Sequence, residues 1–154
     1  MFWTMGSLSG KGYTEVLVLA GAFVALGAVI LLHARELNAF AVGEENARGV
    51  GVNVRRVKLI IMVSVSAMIG ICVSVSGTIG FVGLVTPHMT RMFTGPNHRK
   101  LLPASMFAGA VFLLLADLVS RTVLSPLELP AGVVTSFIGS IVFVLIFWRT
   151  RRGG

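Results

Sequence analysis

Asp117 and Arg121 stand four residues apart, so a helix through them sets a carboxylate against a guanidinium one turn later. The pair reads either as an intrahelical ion pair, worth about 0.5 kcal/mol near a surface, or as a cation offered to a partner. Glu128 follows in the run SPLELPAG, where Pro126 and Pro130 impose a tight connector. His33, His88 and His98 have no mutual spacing that would gather them around an ion, so no metal site is expected. His88, next to Pro87, reads as a hydrogen-bonded structural residue. The single cysteine, Cys72, can form no intramolecular disulfide and falls in an apolar run, where it packs as a small apolar residue. No phosphate-cradling glycine loop, nucleophile elbow or Cys-x-x-Cys pair occurs. The chain is therefore not expected to be an enzyme or to need a cofactor. Any ATP used on its behalf must be hydrolysed by another chain.

The elements that position these residues are membrane helices. Hydrophobic residues make up 55% of the 154 and charged residues 12%, and a soluble domain carries about twice that charge. Uncharged stretches run over about 16–32, 59–90, 101–116 and 129–148, and roughly 20 apolar residues cross the hydrocarbon core. The second stretch is too long for one crossing and contains Gly77, Gly80 and Gly83. Dividing it gives an all-α, polytopic bundle of about five spans, at about 14–33, 58–76, 79–93, 101–123 and 130–148.

The 13 basic residues orient that bundle. Arg35, Arg48, Arg55, Arg56 and Lys58 follow span one; Arg91, Arg99 and Lys100 follow span three; Arg149, Arg151 and Arg152 end the chain. These clusters share one side, and only Lys11 and Arg121 lie on the other. Short Lys/Arg-rich loops stay in the cytoplasm, so a multi-pass protein of the cytoplasmic (inner) membrane with its C-terminus inside is expected. The isoelectric point near 11.2 then reflects loops held at an anionic lipid face, and no nucleic-acid partner is expected. Residues 1–15 lack the apolar core of a cleavable signal. A first residue outside the membrane with no guiding helix suggests half of a larger domain.

Small residues four apart mark where helices can approach: Gly21 and Ala25; Ser66, Gly70 and Ser74; Ala104 and Ala108; Ser105 and Gly109; Gly132, Ser136 and Ser140. Such stripes serve helix contact or face a water-filled pathway, and Thr135, Ser136 and Ser140 are the candidates for the pathway. Span three opens on TIGFVG and carries Pro87, so it is expected to be short, broken and buried within protein. The inner connector 34–57 is expected as a long loop with a short helix over Glu44 to Arg48, followed by Gly49 and Gly51. It reads as a solvated loop or as a docking segment.

The run from Gly77 to Gly139 resembles permease subunits of ATP-driven importers for iron–siderophore, haem and cobalamin, the FecCD family. The matching pieces are GFVGLVTPH at 80–88, Arg91, GPNHRKLLP at 95–103, ADLVSR at 116–121 and ELPAGVVT at 128–135. LNAFAVGEENARGVG at 37–51 is similar to the family's inner loop, and MGSLSG at 5–10 to the segment before its sixth span. The resemblance implies the last half of a permease of about ten spans. It implies that Gly43, Glu44, Ala47, Arg48 and Gly51 couple to an ATP-binding subunit, and that Arg121, with Glu128, docks a periplasmic or lipoprotein substrate-binding protein. It makes Gly80, Gly83, Pro87, His88, Arg91, Pro130 and Gly132 structural motif positions. A second permease copy or paralogue and membrane lipid complete the implied partners, and the implied cargo is a ferric siderophore, with haem or cobalamin as alternatives. One departure stands out: Gly139-Ser140-Ile141 lacks the family's Gly-x-Pro, which should straighten the last helix. The alternatives are a non-transporting remnant or membrane scaffold, and a half-sized secondary transporter. The latter needs intramembrane carboxylates, of which only Asp117 comes close.

Overall fold

The computed structural model describes residues 6–8, 10–123 and 129–152, with side chains given up to Leu145 and at Trp148. Among these residues every regular element is an α-helix: α1 Tyr13–Leu32, α2 Ala34–Ala41, α3 Glu44–Gly49, α4 Val54–Ser76, α5 Val82–Thr94, α6 His98–Thr122 and α7 Ala131–Arg152. α1, α4 and α6 are each long and apolar enough to cross a membrane, and α7 has a shorter apolar stretch, Ala131–Leu145. α5, at 13 residues, is too short to cross alone.

Each boundary has a local cause. The Glu15 carboxylate accepts a 3.0 Å bond from the Gly12 N–H and closes the start of α1. His33 ends α1, its Nδ1 lying 2.8 Å from the Val29 carbonyl. Asn53 and Asn97 cap α4 and α6 by accepting from the Arg56 and Arg99 N–H groups, both at 3.1 Å. α5 ends at Gly95, whose φ of +74° suits glycine.

The helices pack in two groups. α1 lies against α4, while α5, α6 and α7 pack on one another. Between α5 and α6 the Thr90 and Ser105 hydroxyls meet at 2.7 Å, and Gly109 faces Thr86 and Val82 at ordinary contact distance. The Ser105–Gly109 stripe is thus a helix contact. Gly21 and Gly70 have no neighbouring side chain where a Cβ would stand, so those two stripes are unpartnered among the described residues. Few apolar side chains are buried; Ile30, Val57, Val85 and Val134 are, whereas Leu17, Phe23, Met62, Phe107 and Phe137 are exposed. That much apolar surface calls for lipid or further protein around the bundle.

Two expectations change. The connector 34–57 is not a loop: α2 and α3 fill it, and α4 already opens at Val54, so Arg55, Arg56 and Lys58 sit in the first turns of α4. Span three was expected from residue 79, yet Gly77 to Phe81 is non-helical and α5 opens only at Val82. Close contact with α7 holds that stretch out of the helix.

Candidate functional site

The break before α5 is strained and tightly packed. Phe81 adopts φ +66°, the only non-glycine residue with positive φ among the described residues. A bulky side chain there costs about 1–2 kcal/mol. The strain is held by packing: a Cβ on Gly139 of α7 would stand 2.9 Å from Phe81 Cγ, so only glycine lets the two backbones approach. One turn earlier, a Cβ on Gly80 would lie 3.3 Å from Ser136 Oγ. Gly80 and Phe81 therefore lie against α7 at Ser136 and Gly139. Ser136 and Ser140 are half-buried, and the Ser140 hydroxyl donates to the Phe137 carbonyl at 2.8 Å. Thr135 has no exposed surface, and its hydroxyl donates to the Gly132 carbonyl at 3.1 Å. In this structure it is therefore closed off, unlike Ser136 and Ser140. α7 runs on as a helix through Gly139-Ser140-Ile141, in keeping with the missing proline.

The chain ahead of α1 closes this end. Gly6 is buried at φ +61°, and a Cβ there would lie 2.9 Å from Ile79 Cγ1. Its carbonyl accepts from the Gly132 N–H at 3.1 Å, while the Ser7 N–H donates to the Ser76 carbonyl at 2.9 Å. The segment around Gly6 thus joins the end of α4 to the start of α7. Gly132 is buried, and the Pro130 carbonyl accepts from the Val133 N–H at 3.0 Å. Nearby, Arg121 Nε donates to Asp117 Oδ2 at 2.9 Å, with the arginine side chain 46% exposed. The pair is real and the guanidinium remains presented outward. Glu128 lies outside the described residues.

At the opposite end of the helices, α2 and α3 form a compact unit. Gly43, at φ +122°, turns the chain between them, and Gly51, at φ +87°, turns it after α3. Ala47 has no exposed surface, and its carbonyl accepts from the Val52 N–H at 3.0 Å. Glu44 pairs with Lys58 on α4. That ammonium holds the Glu44 carboxyl below its ordinary value of 4.5, first by hydrogen bonding and then by its charge. Arg48 is exposed in the last turn of α3. So Ala47 points inward while Glu44 and Arg48 face out.

The remaining motif positions lie along α5. Gly83, His88 and Arg91 are exposed and Pro87 is half-buried. Pro87 brings no N–H to the ladder, which takes the usual donor from the Gly83 carbonyl; the Thr90 hydroxyl bonds elsewhere, donating to the Thr86 carbonyl at 2.7 Å. Among the described residues no group of three or more His, Cys, Asp or Glu could hold a metal.

Sequence reasoning missed Phe81, whose backbone is set by α7, and it missed Asn38. The Asn38 side chain meets the start of α6: its Oδ1 accepts from the His98 main-chain N–H at 2.7 Å and lies 2.8 Å from His98 Nδ1. Its Nδ2 donates to Asn97 Oδ1 at 3.0 Å. Nothing in the local sequence announces this, because the partners lie 59 and 60 residues away.

Apolar helices of spanning length, a short proline-bearing helix preceded by glycines, and an α2–α3 unit between long helices define a multi-pass membrane bundle. A model of the FecCD transport family matches residues 1–149, and the chain belongs to that family. It is 47% identical over 152 residues to the ABC transporter permease protein YvrB of Bacillus subtilis, covering 99% of this chain and 43% of that one. It is 42% identical over 150 residues to the hemin transport system permease protein HmuU of Yersinia pestis, covering 97% and 45%. A solved ABC transporter in an inward-facing conformation, described as of metal-chelate type, superposes with a TM-score of 0.88 at 34% identity, over 96% of this chain and 48% of that one. The chain thus spans under half the length of these relatives.

Proposed function

We propose that this chain is the C-terminal half of a permease subunit in a binding-protein-dependent ABC importer of the cytoplasmic membrane. Its cargo is a metal chelate: a ferric siderophore first, with haem or cobalamin as the other members of the class. The names of the hemin permease and of the metal-chelate transporter support that class. The chain moves substrate inward without altering it, and separate ATPase subunits hydrolyse the ATP. A second permease copy or paralogue and a substrate-binding protein complete the machine.

The observation that carries this reading is the α2–α3 unit. Gly43 and Gly51 set its turns, buried Ala47 anchors it, and Glu44 and Arg48 stand outward where an ATPase groove could grip them. In this reading residues 34–57 are cytoplasmic. The spans at about 14–33, 58–76, 79–93, 101–123 and 130–148 cross the membrane, the third with support from its neighbours. Closure of the ATPase dimer then rocks the helices as rigid bodies. Arg121 faces the other side and, with Glu128, meets the binding protein. Ser136 and Ser140 line the substrate path beside the break before α5.

The test is uptake of labelled ferric siderophore by proteoliposomes holding the complete permease, its ATPase and its binding protein. Replacing Gly43-Glu44-Glu45 by Ala-Ala-Ala is expected to abolish uptake while ATP hydrolysis continues. Unchanged uptake per ATP would remove the coupling assignment.

A further inference from the structure

The two helix groups raise a mechanical question. The α2–α3 unit is joined through the main chain to α1 and α4, so any displacement of α3 reaches that pair directly. It has no such connection to α5, α6 and α7, which carry the break and the half-buried serines of α7. α2 nevertheless packs against α6, and the polar part of that contact is Asn38.

The contact is a borrowed helix cap. The first N–H groups of a helix have no partner within it. Asn97 accepts from the Arg99 N–H at 3.1 Å as the ordinary cap of α6, and Asn38 of α2 accepts from the His98 N–H at 2.7 Å. His98 Nδ1 converges on the same oxygen at 2.8 Å, and Asn38 Nδ2 donates to Asn97 at 3.0 Å. One side chain of α2 thus ties the cap residue and the first residue of α6, and all three distances fit well-formed bonds. The Glu44–Lys58 pair is a weaker link by comparison, because its side chains are about half exposed, at 49% and 55%.

We infer that Asn38 is the positioning residue that carries motion of the α2–α3 unit into α6, and through it into α5 and α7. This rests on the reading of residues 34–57 as the ATPase contact. Cutting the link removes the direct route from the α2–α3 unit to α6 and leaves only the paths through α4 at the far end, so most ATP is hydrolysed without transport.

The experiment uses the complete transporter in proteoliposomes with labelled ferric siderophore, recording assembled permease, ATP turnover and uptake per ATP. Asn38→Leu is expected to lower uptake per ATP about tenfold, the size of a modest coupling free energy, with assembly and ATP turnover within about twofold of wild type. Asn38→Asp keeps the oxygen that accepts from His98 and should recover most of the lost coupling. A purely structural role would instead lower assembled protein and leave uptake per ATP intact, and that result overturns the inference. Should Asn38→Leu not assemble, Asn38→Ser answers in its place, since its shorter side chain cannot span to α6 and must show the same uncoupling. A Glu45→Cys cross-link to the ATPase in the Cys72→Ser background separates the two claims. If it forms and the Gly43-Glu44-Glu45 replacement uncouples while Asn38→Leu and Asn38→Ser couple normally, the Asn38 link is wrong. If it fails to form and none of the variants changes coupling, the ATPase contact itself lies elsewhere.

Discussion

The break before α5 and the α2–α3 unit both interrupt long helices, yet they are held by opposite physics. The break is held by shape. Phe81 lies on α7 so closely that Gly139 has no room for a Cβ, and that packing holds Phe81 in a left-handed backbone. The α2–α3 unit is held by directed polar contacts, Asn38 to α6 and Glu44 to α4, with only the small side chains of Ala34 and Ala47 buried. Close packing gives way abruptly or not at all, whereas hydrogen bonds between half-exposed groups exchange with water at modest cost. In the proposed reading a wall of the substrate path needs the first property. A joint that must follow a partner needs the second.

The comparison can be broken most severely at Gly139. Gly139→Val should cost about 3 kcal/mol through overpacking against Phe81 and sharply lower the yield of monodisperse protein in detergent. A normal thermal midpoint would show that α7 and the break are not in contact. At Gly6, where the conformation is positive-φ and the neighbours are close, Gly6→Ala should cost about 2 kcal/mol and lower the same midpoint by less. An unchanged midpoint would detach that segment from α4 and α7. Arg121→Glu leaves both regions untouched and should slow association of the binding protein about tenfold at low salt, with the ATPase still assembled. Surface-plasmon kinetics that match wild type would discard the docking role.

The smallest effect belongs to Glu44. Its carboxyl is depressed in the folded chain, so the Lys58 pair contributes above the ordinary value of 4.5 and its contribution fades as pH falls through the lowered folded value. Glu44→Gln should therefore melt slightly below wild type at pH 7. The two curves should converge below about pH 4.5, and a gap that persists in acid would mean that Lys58 is not the cause.

Apolar length and charge placement made the long helices legible, because burying a helix in lipid depends on composition alone. α1 lies at Tyr13–Leu32 where residues 14–33 were expected, and α6 at His98–Thr122 where 101–123 were expected. α2 escaped notice because nothing marks its start: His33 joins it to α1 with no break longer than that residue and no side-chain cap. The late start of α5 escaped because Gly77 and Gly80 announce a break but not its extent, which is set by α7 across the bundle. The site residues divide the same way. Gly51 was legible as a glycine closing the short helix and Asp117–Arg121 as a spacing, whereas the turn at Gly43 was not read from the residues. Asn38 and Gly139 acquire meaning only once distant helices meet.

The claim beneath all of this is sidedness: α3 on the inner face of the membrane and the Arg121 end of α6 on the outer face. Single cysteines at Asn46 and Thr122, placed in the Cys72→Ser background and treated with a membrane-impermeant maleimide, test it directly. In right-side-out vesicles Thr122→Cys should label at once and Asn46→Cys only after permeabilisation. Labelling of both from the same side, or of Asn46→Cys first, would contradict the account.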